Sequence, residues 1–235
     1  MRSEMTPSRR AEVAAGVQAS LAAGLGMYPI GIAFGLLVVQ AGLPWWVAPA
    51  LSVSVYAGSL ELLLIGMITT ATPLATIALT TLLVNFRHVF YAFTFPLRVV
   101  RNRFARIYSM YALIDEAFAV TAANPHGWTA WRLLALQMSL QTYWVGGGLT
   151  GVAIGSLLPI RLEGLEFALC ALFVTLTLDA CRTKSELPSL LLAAASFSFA
   201  RLVVPGEALF VGLVVFVASL VARYVLVGPP EPTDA

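Results

Sequence analysis

Apolar residues run along this chain in long blocks, and Pro, Gly and charged residues punctuate them. The blocks cover about residues 17–41, 46–70, 74–96, 107–123, 133–158, 164–181, 188–203 and 208–227. A helix needs about 20 such residues to cross a bilayer. The blocks are apolar around the whole helical circumference, which suits lipid or a large buried core, and 235 residues are too few for the second. Barrel strands would alternate over about ten residues, and these blocks do not. The pattern predicts an all-α, polytopic integral membrane protein with seven to eight helical segments. Trp45, Trp46, Trp128 and Trp131 stand at block edges, where indole rings favour the headgroup region. The boundaries predict an N-terminal cytoplasmic tail over 1–14, a single transmembrane domain over 15–227 and a polar tail over 228–235.

Two blocks carry signals for broken or re-entrant helices. Gly24, Gly26, Pro29 and Gly31 crowd the first, where proline removes a backbone hydrogen bond and glycine lets the chain unwind. Tyr56-Ala57-Gly58-Ser59 interrupts the second. Irregular backbone at membrane depth is tolerated only when buried or lining a cavity. Gly147, Gly151 and Gly155 fall on one helical face of the fifth block and, like Gly31 and Gly35, permit close helix approach. Their placement suggests an internal repeat of about 124 residues.

Composition sharpens this picture. The chain is 59% hydrophobic and 11% charged, against roughly 25% charged in soluble domains, and no charge occurs from Val13 to Leu60. No room remains for a soluble catalytic or nucleotide-binding domain. A net charge of +2 without a soluble basic face excludes nucleic-acid capture as a main activity. Cys170 and Cys181 are about three helical turns apart, too far for an intrahelical disulfide, and no Cys/His spacing suits a metal. With all eight blocks crossing from an inside N-terminus, Lys/Arg would divide seven inside to six outside. If one block before residue 97 fails to cross, Arg98, Arg101, Arg103 and Arg106 move inside and the division becomes nine to four, which the positive-inside rule favours.

Arg87 is the most costly residue, about 13 positions into the third block. A cation at such depth costs about 2.5–3.5 kcal/mol on insertion scales and needs a partner or a wet cavity. Asn85 and His88 share a face at i, i+3, and Arg87 and Tyr91 share an adjoining one at i, i+4. The competing reading ends the helix near residue 86 and lets Arg87 snorkel. Three acids, Glu61, Asp115 and Glu116, also fall in apolar blocks, the last two at membrane depth unless the fourth block stays interfacial. Glu61 or Asp115 could neutralise Arg87 in a static ion pair, and Asp115 with Glu116 could instead carry protons. His126, between Pro125 and Gly127, reads as a loop residue.

Four stretches together resemble the AzlC family, the large permease subunit of bacterial branched-chain amino acid exporters. They are Tyr28-Pro-Ile-Gly-Ile-Ala-Phe-Gly35, Tyr56-Ala-Gly-Ser59, Leu82-Leu-Val-Asn-Phe-Arg-His-Val-Phe-Tyr91 and Ile114-Asp-Glu-Ala-Phe118, with Leu165-Glu-Phe-Ala-Leu169 as a weaker fifth. The chain departs from the family at Leu60-Glu61, usually a small residue and glutamine, and at Cys170, commonly proline. The resemblance implies a secondary exporter in the bacterial inner membrane, without cofactor, working with a small hydrophobic AzlD-like subunit and surrounded by membrane lipid. On that reading Arg87, Asn85, His88, Ser59 and backbone near Pro29 and Gly31 meet the substrate carboxylate and its surroundings, Glu61 or Asp115 meets the ammonium, and Phe34, Tyr56 and Phe118 meet the side chain. Proton coupling falls to Asp115 or Glu116. An intramembrane enzyme using Asp115, Glu116 or His88, and a non-transporting assembly subunit, are the alternatives; no Ser/His or metal constellation supports the enzyme.

The charge division predicts that the Arg98–Arg106 loop faces the same side as the N-terminus. A cysteine at Asn102 should resist an impermeant thiol reagent added outside intact cells, and ready labelling would contradict the topology.

Overall fold

The computed structural model describes residues 8–157, 174 and 187–227. The sixth block, with Cys170, Cys181 and the Leu165–Leu169 motif, lies outside the described residues apart from position 174, as do the terminal tails over 1–7 and 228–235. All regular structure among the described residues is helical: α1 (Arg9–Gln40), α2 (Val47–Ser54), α3 (Gly58–Thr69), α4 (Leu74–Asn85), α5 (His88–Thr94), α6 (Arg103–Tyr111), α7 (Asp115–Ala123), α8 (Ala130–Leu157), α9 (Leu187–Val203) and α10 (Ala208–Val227), with 3-10 turns at Leu97–Val99 and Pro205–Glu207. Arg9–Gln40, Leu74–Thr94 and Pro205–Leu226 are long and apolar enough to cross a membrane. The chain divides into two compact units, one of Met1–Ala71 with Leu83–Arg161 and one of Thr72–Leu82 with Leu162–Ala235.

The first unit is built on α1 packed along α8. Glycine makes this possible, because its missing side chain lets two backbones approach. A Cβ on Gly35 would overlap the Gly148 carbonyl, one on Gly151 the Ile32 carbonyl, and one on Gly147 the Tyr28 carbonyl. Gly16 and Gly24 continue the contact against Arg132 and Tyr143. Tyr28 Oη and Thr150 Oγ1, 2.8 Å apart, add a polar tie between the helices.

The expected unwinding around Gly24–Gly31 does not occur: α1 is continuous for 32 residues with Pro29 inside it. Its glycines serve helix approach, and Pro29 points outward while Gly24 and Gly31 are buried. The interruption expected in the second block is present. Between α2 and α3, Tyr56 takes a left-handed backbone with φ +46°, a conformation disfavoured for residues with a Cβ. Two further breaks separate α4 from α5 at Phe86–Arg87 and α6 from α7 at Ala112–Ile114. The fourth block therefore forms two short helices, the first starting before residue 107 because Asn102 caps it, accepting from the Phe104 and Ala105 N–H groups at 3.0 and 3.1 Å. A labelling cysteine at Arg101 leaves that cap intact.

In the second unit, α9 and α10 form a hairpin through Pro205–Glu207. Arg223 donates to Ser189 Oγ at 2.8 Å, and the Phe197 ring covers Gly212.

The backbone clash at Gly35 cannot be relieved by a rotamer change. Gly35→Ala should destabilise the detergent-solubilised protein by about 1–3 kcal/mol, the usual range for overpacking. Gly26→Ala, with nothing within 4 Å of the added methyl, should leave the unfolding midpoint unchanged or slightly raised. Equal midpoints for the two variants would contradict the glycine contact.

Candidate functional site

Three helix breaks bring one polar cluster together. Ser59 lies in the first turn of α3, Arg87 between α4 and α5, and Asp115 at the start of α7. Arg87 Nη2 lies 2.5 Å from Asp115 Oδ2 and donates to Ser59 Oγ at 3.2 Å. The other Asp115 oxygen accepts from Tyr91 Oη at 2.8 Å. Tyr91 is fixed by its stack on Phe118, with centroids 4.1 Å apart and planes 9° from parallel. The pair is open, since the Arg87 and Asp115 side chains keep 43% and 41% exposure. The ion pairing left open between Glu61 and Asp115 is thus made by Asp115.

Glu61 is wholly buried and has no cationic partner among the described residues. Its carboxylate accepts from Ser52 Oγ at 2.8 Å, from Trp144 Nε1 at 3.0 and 3.1 Å, and from the Ala57 N–H at 3.1 Å. The Ala57 bond reaches back over the start of α3, as a capping acid does, and satisfies an N–H that the helix leaves orphaned. Both oxygens are committed to protein donors.

Asn85 and His88, on either side of Arg87 in sequence, line a cavity of about 330 Å³ whose walls also include Tyr56, Phe95, Met110 and Tyr111. Asn85 and His88 line it together, as their shared face predicts, and His88 Nδ1 lies 2.9 Å from the Asn85 carbonyl. Among the described residues, Asn85 Oδ1 and Tyr56 Oη are buried without a hydrogen-bond partner. A buried polar atom so placed costs about 1–3 kcal/mol, which a ligand group could recover. Glu116 is half-buried in the first turn of α7.

Other expected site residues are elsewhere. Gly31 packs on α8, and Pro29 is on the exposed side of α1. Phe34 stacks on Trp144 with centroids 5.7 Å apart, and neither Tyr56 nor Phe118 shares that contact. Sequence reasoning passed over Trp144 and Ser52, which hold Glu61. An indole in the middle of an apolar, glycine-rich helix was the available signal, because its N–H requires an acceptor. The sequence marks Tyr91 only as the helical neighbour of Arg87.

The family described as AzlC protein matches residues 22–158, more than half of the chain and nearly all of the glycine pair, breaks and cluster just described. The chain belongs to the AzlC family. A Helicobacter pylori membrane protein of uncharacterised role is 30% identical over 66% of this chain and 69% of its own length. The Bacillus subtilis branched-chain amino acid transport protein AzlC is 27% identical over 64% of this chain and 60% of its own. The Escherichia coli inner membrane protein YgaZ is 28% identical over 73% and 74%. No solved structure matches. This AzlC family member is a membrane protein with a role in transport.

Glu61→Ala would strand the Ser52, Trp144 and Ala57 donors, at about 1–3 kcal/mol for each that water does not reach. Its unfolding midpoint in detergent should fall well below that of Glu61→Gln, which keeps an acceptor oxygen. A Glu61→Ala protein as stable as wild type would show that Glu61 does not hold the α2–α3 break.

Proposed function

We propose that the protein exports branched-chain or similar small hydrophobic amino acids across the bacterial inner membrane, as the large subunit of a two-component secondary transporter with a small hydrophobic partner. The observation that carries this reading is the Arg87–Asp115 pair, not enclosed by protein, with Asn85 and His88 on either side of Arg87 in sequence lining the Tyr56 cavity. A zwitterion presents the same two charges in reverse, so it can enter between guanidinium and carboxylate without adding net charge to the membrane interior. Its carboxylate takes two parallel hydrogen bonds from Arg87, which a guanidinium is shaped to give. Its ammonium takes Asp115, and Ser59 Oγ is within reach of the same charges.

The aliphatic part enters the cavity among Phe95 and Met110, where 330 Å³ lies at the small end of the roughly 300–1,000 Å³ typical of ligand sites. Asn85 Oδ1 and Tyr56 Oη supply the remaining polar contacts. Asp115, with Glu116 beside it, is the proton-coupling group, because it must release Arg87 or the ammonium in each cycle. The names of the Bacillus subtilis and Escherichia coli relatives support the substrate class and the membrane.

Counterflow of labelled leucine in liposomes tests the proposal, with and without the co-expressed small subunit. Arg87→Lys should slow exchange by roughly an order of magnitude or more, the worth of a charge-assisted hydrogen bond. Arg87→Gln combined with Asp115→Asn removes both charges, so the protein should reach the membrane normally yet fail to exchange leucine. Near wild-type exchange by that double variant would reduce the pair to scaffold and overturn the binding role.

A further inference from the structure

The segment from Arg98 to Arg106 carries four arginines in nine positions, and the whole sequence between Glu61 and Asp115 contains no acid. All four, Arg98, Arg101, Arg103 and Arg106, are exposed. None takes part in an ion pair among the described residues. The segment is nevertheless firmly held. Phe95 and Val100 are buried on either side of the Leu97–Val99 turn, and Asn102 caps α6. On α6, Ser109 is buried and the Ser109 carbonyl accepts from the buried Gln137 amide at 2.8 Å, while Tyr108 Oη donates to Gln141 at 2.9 Å. One face is thereby fixed against α8.

The face that remains outward is the unusual one. Phe104 is 81% exposed, and Ile107 and Met110 are 57% exposed, one helical turn apart. Arg103 and Arg106 share that outward arc, each standing four residues before Ile107 and Met110 respectively. A helix with apolar side chains and arginines on the same outer surface matches the boundary between acyl chains and headgroups. The apolar groups enter the acyl region, and the guanidinium groups stay at the phosphates.

We propose that the Arg98–Arg106 segment and the outer face of α6 form a binding site for anionic phospholipid, with the arginines gripping headgroup phosphate while Phe104, Ile107 and Met110 anchor in the acyl layer. Charge complementarity selects the occupant: four arginines without an acid suit a surface of negative headgroups. A hydrophobic protein subunit would cover the apolar residues and leave the arginines unmatched. The site shares Met110 with the cavity wall but uses none of Ser59, Arg87, Tyr91 or Asp115.

The purified full chain in neutral detergent, titrated with dioleoylphosphatidylglycerol or dioleoylphosphatidylcholine, provides the test through its unfolding midpoint. Binding to the folded state raises that midpoint in proportion to occupancy. Phosphatidylglycerol should raise it at concentrations where phosphatidylcholine does not, 0.5 M NaCl should abolish the difference, and inorganic phosphate alone should have no effect. Each Arg→Gln replacement among the four should weaken the apparent affinity about fivefold, whereas the fourfold Arg→Lys variant should keep the preference. The single variants Arg101→Gln and Arg103→Gln serve if the fourfold Arg→Gln protein does not fold. A wild-type protein with no preference for phosphatidylglycerol would overturn the proposal. So would an unchanged preference in the folded Arg→Gln variants, or loss of the preference when the small subunit is bound.

Discussion

The hydrogen bond from Trp144 to Glu61 joins the scaffold of this protein to its irregular parts. Trp144 belongs to α8 and stacks on Phe34 of α1, so its ring is fixed by the tightest helix pair in the first unit. Its indole N–H reaches both oxygens of Glu61, and the edge of the ring lies against Gly58, where even an added Cβ would meet it at 3.0 Å. Glu61 in turn holds Ser52 of α2 and the Ala57 N–H. Three helices, α2, α3 and α8, are thus tied through one acid. The left-handed Tyr56 lies between these anchors: the Val55 and Tyr56 N–H groups still bond the Leu51 carbonyl at 2.7 and 3.3 Å, and the Ala57 N–H turns to Glu61.

Breaking a helix inside a membrane protein exposes peptide groups that lipid cannot satisfy, and each of the three breaks has a local remedy. Glu61 supplies an acceptor at the first. At the second, the Val89 and Phe90 N–H groups bond the Phe86 and Arg87 carbonyls at 3.1 and 3.0 Å, so the chain turns tightly instead of opening. At the third, the buried Gln137 amide donates to the Ser109 and Ala112 carbonyls at 2.8 and 3.0 Å, the second of these at the end of α6. α8 serves two of the three breaks with polar side chains, and for that reason it must lie close to them. The glycine contact with α1 fixes where α8 lies.

The blocks of apolar residues made the helical membrane class legible, because that pattern follows from lipid itself. Glycine spacing likewise announced the α1–α8 contact. What the glycines did not disclose was their purpose: beside Pro29 they resembled a hinge, but a small-residue face and an unwinding site share a composition, and only the facing helix distinguishes them. In the third block, Asn85 and His88 were readable as one face and Arg87 as another, since helical periodicity carries across a single tight turn. Which acid would meet Arg87 was not readable. Glu61 is 26 positions before it and Asp115 is 28 after it, so separation in sequence could not choose, and the choice was made by two donors, Ser52 and Trp144, that occupy Glu61 first.

The two acids show why one site is structural and the other is suited to exchange. Glu61 is sealed by neutral donors on three elements, and disturbing it would leave several buried groups unpaired at once. Asp115 has a cation and a tyrosine, both shared with space that remains about two-fifths open. Protein does not enclose this ion pair, so another charge can reach either partner without displacing a neutral donor. Under the proposed export function such access is required, since a pair too stable to open would hold the ligand out. Rigidity around Glu61 and looseness around Asp115 are therefore complementary: the first keeps Ser59 and Tyr56 in place while the second lets the charges change partners.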